Sequence, residues 1–222
     1  MAKIISIETS TTNCSVSYSE HGKTLVLKEE NNANYSHAES LHVFISDVLS
    51  SSNIKFSQLD AIAISKGPGS YTGLRIGVSA AKGLCFALGI PLISVSTLKS
   101  LAMQLDIDQG YIVPMLDARR MEVYSAIYDA EYNLVRDIEA QIIDETSFKD
   151  VLNEKEVYFL GNGVDKTKAL LTHKNANFID DKFPCSNEIS KMAFEKYKIS
   201  DIEDVAYFEP FYLKDFLANR KN

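Results

Sequence analysis

A chain of 222 residues is long enough to bury a full core, and 45% hydrophobic with 24% charged residues is ordinary for a soluble domain. The formal net charge of -7, without any cluster of Lys or Arg, argues against a broad basic surface for nucleic acid. No apolar run approaches the ~20 residues of a membrane-spanning helix, and the N-terminus lacks the apolar core of a signal peptide. The cysteines Cys14, Cys85 and Cys185 have no metal-like or CxxC spacing, which favours buried thiols in a reducing cytoplasm.

The first hundred residues alternate between strands and helices. Three short strands at residues 4–7, 15–18 and 24–28 predict a β-meander whose first turn is rich in hydroxyl side chains. Ser36 and Glu39 have the spacing of a capping box and predict the start of a helix that runs to Ser50. A short buried strand at residues 61–64 follows, and it leads into a glycine-rich loop.

That loop reads GPGSYTGLRIG between Lys66 and Val78, with four glycines in eleven residues. It lacks the Gly-Lys pair of a P-loop, and it has Thr72 where a dinucleotide-binding fingerprint needs its third glycine. A helix N-terminus can hold an anion without any motif, but that signal is generic. Thr72 is the predicted N-cap of a helix that ends at Leu88, where Gly89 and the following Ile-Pro stop it.

The helix predicted after the loop has a wider apolar face than packing on one sheet requires. One stripe consists of Leu74, Val78, Ala81, Cys85 and Leu88. A second stripe beside it consists of Gly73, Gly77, Ala80, Leu84 and Ala87. Internal glycines such as Gly77 and Gly83 each cost about 1 kcal/mol against alanine, which indicates close backbone approach by the chain's own sheet or by another helix. The preceding helix has a comparable side, formed by Ala38, Leu41, His42, Ile45 and Leu49.

The second half of the chain repeats the opening pattern. Strands predicted at residues 111–116 and 123–128 flank a turn that begins with Asp117, as Glu8 precedes the first turn. This similarity suggests duplication, with chance as the alternative. A strand at residues 157–160 and helices at residues 165–171 and 188–196 complete the prediction. The chain has no low-complexity linker, so we expect a mixed α/β fold of two lobes that share an interface.

Several segments together resemble one family. They are IISIETSTTNCSVS, NYSHAESLHVFI, the run from AIAISKGPGSYTGLRIG to STLKSLA, LDARRMEVYSAIYD and FEPFYLKDF. They are similar to the TsaB (YeaZ-type) family, densely over the first hundred residues and in patches beyond. The resemblance implies an actin-like, sugar-kinase-like (ASKHA) fold with two lobes, each a mixed sheet with a three-stranded meander flanked by helices. We expect residues 1–102 to form the N-terminal, partner-binding lobe and residues 103–222 the C-terminal lobe, with the final tail packing back on the first.

The resemblance also implies a function in making N6-threonylcarbamoyladenosine beside the anticodon of tRNAs that read codons starting with A. The family member is a non-catalytic scaffold, required together with a catalytic TsaD-type subunit and a TsaE-type ATPase. We therefore expect no catalytic, cofactor or metal site in this chain, with ATP used by the assembly and tRNA contacted through it. We expect a homodimer when the partner is absent.

The pairing surface of the family corresponds here to the helices predicted at residues 36–50 and 72–88. The resemblance implies that their small residues let helices from two chains approach closely. The expected interface residues are Leu41, His42, Ile45, Leu49, Gly73, Gly77, Ala80, Leu84 and Ala87.

Two enzymatic alternatives remain at this point. A stand-alone ATP-dependent kinase or ATPase of the actin-like class needs acidic metal partners and glycine or hydroxyl turns in both lobes. Glu8 and its turn meet this need, but Arg119 and Arg120 occupy the second turn, which weakens ATP binding without excluding it. These arginines are also the best local candidates for RNA or nucleotide contact.

The other alternative, a metallopeptidase, would need several converging metal ligands. Residues 95–101 stand where TsaD-type chains carry a His-His-x-Glu-Gly-His run, and they include no histidine and no carboxylate. His37 and His42 are five residues apart and point in different directions on a helix, so they make a poor metal pair.

Overall fold

Two five-stranded sheets form the framework of the computed structural model, which describes residues 2–31 and 37–214. The first sheet has the order β3-β2-β1-β4-β5, with β1 Lys3–Glu8, β2 Asn13–Glu20, β3 Lys23–Asn31, β4 Ala61–Ser65 and β5 Leu92–Val95. The second has the order β8-β7-β6-β9-β10, with β6 Tyr111–Asp117, β7 Glu122–Asp129, β8 Leu134–Ile142, β9 Val157–Leu160 and β10 Ala176–Ile179. The helices are α1 His37–Ser51, α2 Tyr71–Leu88, α3 Thr97–Ala102, α4 Lys149–Glu154, α5 Asp165–Lys168 and α6 Ser186–Lys198, with a 3₁₀ turn at Phe56–Gln58.

The two sheets have the same topology. In each, the first three strands form an antiparallel meander, the fourth strand pairs in parallel with the first, and the fifth pairs in parallel with the fourth. Glu8 ends β1 and Asp117 ends β6, so the two acidic residues occupy equivalent places. The predicted duplicated fold of two lobes is confirmed.

Helices cover both faces of the first sheet. Along β1, Ile5 and Ile7 belong to the core under α1 and α2, whereas Ile4 packs with Ile189 of α6 on the opposite face. Alternate side chains of a strand point to opposite faces, so a strand between two layers is apolar at nearly every position. This explains why the sequence of β1 shows a continuous buried run rather than an alternation with exposed residues.

The lobes exchange helices. α3 follows the first sheet in the chain but packs on the second, where Leu98 and Leu101 join a core with Ile112 and Leu116. α6 follows the second sheet but lies against the first. The domain boundary expected between residues 102 and 103 stays a prediction. α3 precedes this boundary in the chain but packs on the second sheet, and α6 follows it but packs on the first.

Several element boundaries differ from those predicted. β3 continues to Asn31 rather than ending at residue 28. α2 begins at Tyr71, because Ser70 and not Thr72 is its N-cap, with the Ser70 hydroxyl accepting a hydrogen bond from the Gly73 amide at 3.3 Å. The predicted stop after Leu88 is confirmed, since Gly89 adopts a left-handed conformation with φ 66°.

The remaining helices also differ in length from the predicted ones. α5 ends at Lys168, before the predicted end at residue 171, whereas α6 is longer at both ends than residues 188–196. Ser36 of the predicted capping box lies outside the described residues. Within residues 2–31 and 37–214, no helix is both long enough and apolar enough to span a membrane.

Candidate functional site

The turn after β1 determines how α2 lies on the first sheet. The Thr9 hydroxyl donates a hydrogen bond to the carbonyl of Gly73 at 2.8 Å. A Cβ on Gly73 would lie 2.0 Å from the Thr9 carbonyl oxygen, and a Cβ on Gly77 would lie 2.2 Å from Thr9 Oγ1. These two glycines therefore make room for the chain's own turn, a different role from the one that the resemblance implied.

The glycine-rich loop also packs on this turn. The Ser70 amide donates to the Ser10 carbonyl at 2.7 Å, and the Leu74 amide donates to the Ser70 carbonyl at 2.9 Å. A Cβ on Gly69 would lie 2.6 Å from the Ser10 carbonyl oxygen. The amides of Ser70, Gly73 and Leu74 at the start of α2 are thus bonded to protein atoms, and the loop is held on the turn after β1.

Glu8 lies beneath the same turn and is fully buried. Its Oε1 accepts a hydrogen bond from the Ser10 amide at 2.6 Å. Burial raises the pKa of the Glu8 carboxyl, and the hydrogen bonds from Ser10, Ser65 and Thr9 oppose this rise. The Glu8 carboxyl is thus enclosed by the chain and is not exposed to a ligand at the surface.

The equivalent turn of the second lobe is held by a cation of the protein itself. The Lys166 ammonium pairs with the Asp117 carboxylate and donates to the carbonyls of Arg120 and Glu122. Arg119 and Arg120 adopt positive φ angles of 68° and 49°, and both side chains are exposed. Among the residues that the structure describes, no three His, Cys, Asp or Glu side chains are grouped so that they could hold a metal ion.

The expected interface residues divide into two groups. The following are buried within the first lobe: Leu41, Ile45, Leu49, Gly73 and Gly77. The following are exposed or half-buried at the outer surface: His42, Ala80, Leu84 and Ala87. The predicted interface therefore included residues of two different helix faces. One face packs on the sheet, and the other is open to solvent.

The open face forms a groove of about 390 Å³ between α1 and α2. Its lining residues are His42, Ile76, Ser79, Ala80, Gly83 and Leu84. A Cβ on Gly83 would meet no atom within 4 Å, so this glycine is not required by the packing of the described chain. Phe86, 86% exposed, and Val43, 55% exposed, add apolar surface on the same two helices. We define the docking surface as this groove with Val43 and Phe86.

Sequence reasoning missed Ile76, Ser79 and Gly83 as members of this surface. A signal was present for Gly83, because a glycine inside a helix is unfavourable unless something needs the space. No comparable signal marked Ile76 or Ser79, since their exposure depends on the position of α1.

Several known proteins are similar to this chain in sequence. The family model described as "TsaD: tRNA N6-adenosine threonylcarbamoyltransferase" matches residues 30–217. The Haemophilus influenzae protein named "tRNA threonylcarbamoyladenosine biosynthesis protein TsaB" is 27% identical over 233 aligned residues, covering 98% of this chain and 96% of that protein. The Bacillus subtilis protein of the same name is 39% identical over 116 residues, and the match spans about half of that protein, 51% of each chain.

The fold is shared with a solved structure. The structure of an uncharacterized Pseudomonas aeruginosa protein "with similarity to peptidase YEAZ" aligns with a TM-score of 0.86 and 24% identity, over 96% of this chain and 100% of that one. The duplicated sheets with exchanged helices form an actin-like fold of two lobes. The chain belongs to the TsaD family that the model describes, and its full-length relatives place it in the TsaB (YeaZ-type) branch. The family and the fold expected from the sequence are confirmed.

Proposed function

We propose that this chain is an accessory subunit in threonylcarbamoyladenosine biosynthesis on tRNA and that it has no catalytic activity of its own. Two relatives that it matches over most of its length carry the name of this pathway. The buried Glu8 and the Asp117 carboxylate paired with Lys166 support the second part of the proposal. In an actin-like ATPase these two positions would need carboxylates that are free to hold a metal-bound nucleotide.

The observation that carries the proposal is the open groove between α1 and α2. Gly83 gives another helix room to approach the backbone of α2, while Ile76 and Leu84 provide apolar surface inside the groove. Amphipathic helices bind such grooves through apolar side chains spaced along one face. We propose that a helical pair of a TsaD-type catalytic subunit occupies the docking surface.

The rest of the proposed assembly is supported by the resemblance to the TsaB family. A TsaE-type ATPase joins the two chains, ATP is used by the assembly, and the complex is cytoplasmic. The net charge of -7 supports tRNA contact mainly through the other subunits, because phosphate binding depends on clustered Lys and Arg. Without its partner, the chain pairs with a second copy through the same surface.

Substitution of Gly83 by leucine tests the docking surface. The leucine side chain would fill the groove, so we expect Gly83→Leu to weaken binding of the TsaD-type subunit from the same organism at least roughly tenfold, corresponding to about 1.4 kcal/mol. The measurements are co-purification and titration calorimetry. Because a Cβ on Gly83 would meet no atom within 4 Å, we expect the variant to fold, and a thermal melt checks this.

Lys191→Leu is the matched control, since it introduces the same side chain at an exposed position of α6, on the opposite face of the first sheet. Gly77→Leu is unsuitable, because its side chain would collide with Thr9 inside the lobe. Unchanged affinity in the Gly83→Leu variant would overturn the proposed docking surface. Calorimetry of the isolated chain with ATP and Mg²⁺, together with an assay for ATP hydrolysis, addresses the second part. ATP bound and hydrolysed by the isolated chain would contradict it.

A further inference from the structure

The last described part of the chain, residues 203–214, runs back over the first lobe, and we call it the C-terminal strap. It starts at the edge of the first sheet, where β5 is the outermost strand. The Glu203 amide donates to the Leu92 carbonyl at 2.8 Å, and the Ser94 hydroxyl donates to the Glu203 carboxylate. The strap thus begins by covering strand-edge groups that would otherwise face solvent.

The strap then follows the flank of α2. The Lys82 ammonium donates to the carbonyls of Ala206 and Phe208, at 3.2 Å and 2.8 Å. Val205 and Phe208 pack against the first core. Lys82 lies about 100° or more around α2 from the groove residues Ala80 and Gly83, so the strap leaves the groove open.

The next contacts are with the glycine-rich loop. The Phe211 amide donates to the Lys66 carbonyl at 2.7 Å, and the Phe211 carbonyl lies where a Cβ on Gly67 would be only 2.7 Å away. The Tyr212 ring lies 4.9 Å from the ring of Tyr71, the first residue of α2. The strap therefore passes directly over the start of the loop.

The final contact is with the second lobe. The Lys214 ammonium pairs with the carboxylate of Glu122, the first residue of β7. Glu122 follows the turn that Lys166 holds, and its own carbonyl accepts from Lys166. One continuous segment thus connects the glycine-rich loop of the first lobe with the β6–β7 turn of the second.

We propose that the C-terminal strap is an intramolecular tether that holds the two lobes together. In actin-like ATPases, a bound nucleotide is clamped by turns of both lobes. Here the glycine-rich loop, which packs on the first of these turns, is joined to the second turn by the chain itself, through Phe211 on one side and Lys214 on the other. The inference does not depend on the proposed partner, because every contact that carries it lies within this chain.

A tether predicts that a change at one lobe is felt at the other, whereas local packing predicts no such effect. Lys82→Met removes the two hydrogen bonds to the strap on α2 and keeps most of the side-chain stem. Lys214→Glu places two carboxylates against each other at Glu122. The test is hydrogen exchange measured by mass spectrometry on the full chain, with the readout taken at the lobe opposite to each substitution.

For Lys82→Met, we expect exchange in residues 117–122 to become roughly two- to threefold faster, because the strap is released more often. For Lys214→Glu, we expect a similar acceleration in residues 66–70. Tyr207→Ala is the control within the strap, since that side chain is 83% exposed, and it should change neither segment. The tether would be overturned if residues 117–122 exchanged at the parent rate in Lys82→Met and residues 66–70 exchanged at the parent rate in Lys214→Glu.

Discussion

A side chain at Gly73 or Gly77 would collide with Thr9, whereas a Cβ at Gly83 would meet no atom within 4 Å. We expect Gly77→Ala to lower the free energy of unfolding by about 1–3 kcal/mol, because overpacking displaces neighbouring groups. Gly73→Ala should cost more, since the obstacle there is a backbone carbonyl. Gly83→Ala should raise stability by up to about 1 kcal/mol through helix propensity. Urea unfolding measures all three, and a Gly77→Ala variant as stable as the parent would contradict this assignment.

Glu8 should make stability depend on pH. Its pKa is raised above the ordinary value of 4.5 by burial, so the folded chain binds this proton more tightly than the unfolded chain. The neutral carboxyl therefore gives its full contribution below the unfolded pKa, and this contribution is lost as the pH rises through the folded pKa. Glu8→Gln keeps an uncharged side chain at every pH.

We expect the Glu8→Gln variant to melt at a higher temperature than the parent at about pH 8, and the difference to shrink towards about pH 5. Differential scanning calorimetry across this range provides the measurement. Ser17→Ala, at a buried serine of β2 whose hydroxyl donates to the Ser186 carbonyl and is not a partner of Glu8, is the control and should show a difference that varies little with pH. If the melting temperature of the parent instead rose relative to that of Glu8→Gln as the pH rises, Glu8 would be ionised in the folded chain.

At the scale of single residues, the sequence showed which residues of α2 are small and apolar but not which other residues they contact. The small residues of the second stripe of α2 were recognised, but spacing along one helix cannot tell which of them face the sheet. The contact that decides this joins Thr9 to Gly73, 64 residues apart in the chain. Such a long-range neighbour leaves no trace in the local pattern, and the docking surface was therefore placed partly on buried positions.

At the scale of elements, α6 is attached to the first sheet by buried serine side chains as well as by apolar contacts. The Ser17 hydroxyl donates to the Ser186 carbonyl at 2.9 Å and lies 3.0 Å from the Ser190 hydroxyl. Ser17→Ala would leave these buried groups without that partner, so we expect a loss of about 1–3 kcal/mol. Thr24→Ala is the control, because its exposed hydrogen bond to Asn187 should contribute less than about 0.5 kcal/mol. Chemical denaturation compares them, and equal effects would argue against a structural role of the serines.

The elements themselves were predictable where their apolar pattern is strong. The sequence predicted β1, β2, β3 and β4, since buried runs of Ile, Val and Leu bounded by turns are typical of strands. β10 was missed, because Ala176–Ile179 is short and only half-buried. The packing of α6 on the first sheet was also not predicted. An amphipathic helix shows which side is apolar but not which sheet lies under it.

At the scale of the whole molecule, each lobe depends on a helix supplied by the other half of the chain. α3 packs on the second sheet and α6 on the first, and the strap adds a further connection. The relative position of the lobes is thus fixed by several contacts that are far apart in sequence. The docking surface lies on the outer side of α1 and α2, so a partner can bind there without separating the lobes.

The docking surface makes a prediction about the isolated chain. An exposed apolar groove flanked by Phe86 and Val43 is unfavourable in water, and two copies can cover it through a symmetric interface. We expect sedimentation of the purified chain to show a dimer, and Phe86→Asp to shift it to the monomer because a charge would be buried in the interface. Lys191→Asp, which introduces the same residue on α6, should remain dimeric.

A competition experiment connects this dimer with the proposed function. If both associations use the docking surface, added TsaD-type subunit must convert the dimer into a mixed pair, since one groove cannot hold two occupants. Sedimentation of the mixture should therefore show loss of the homodimer in proportion to the partner added. A larger species containing the partner and an intact homodimer would mean that the two associations use different surfaces. In that case the groove between α1 and α2 would account for only one of them, and the response of each association to Gly83→Leu would identify which.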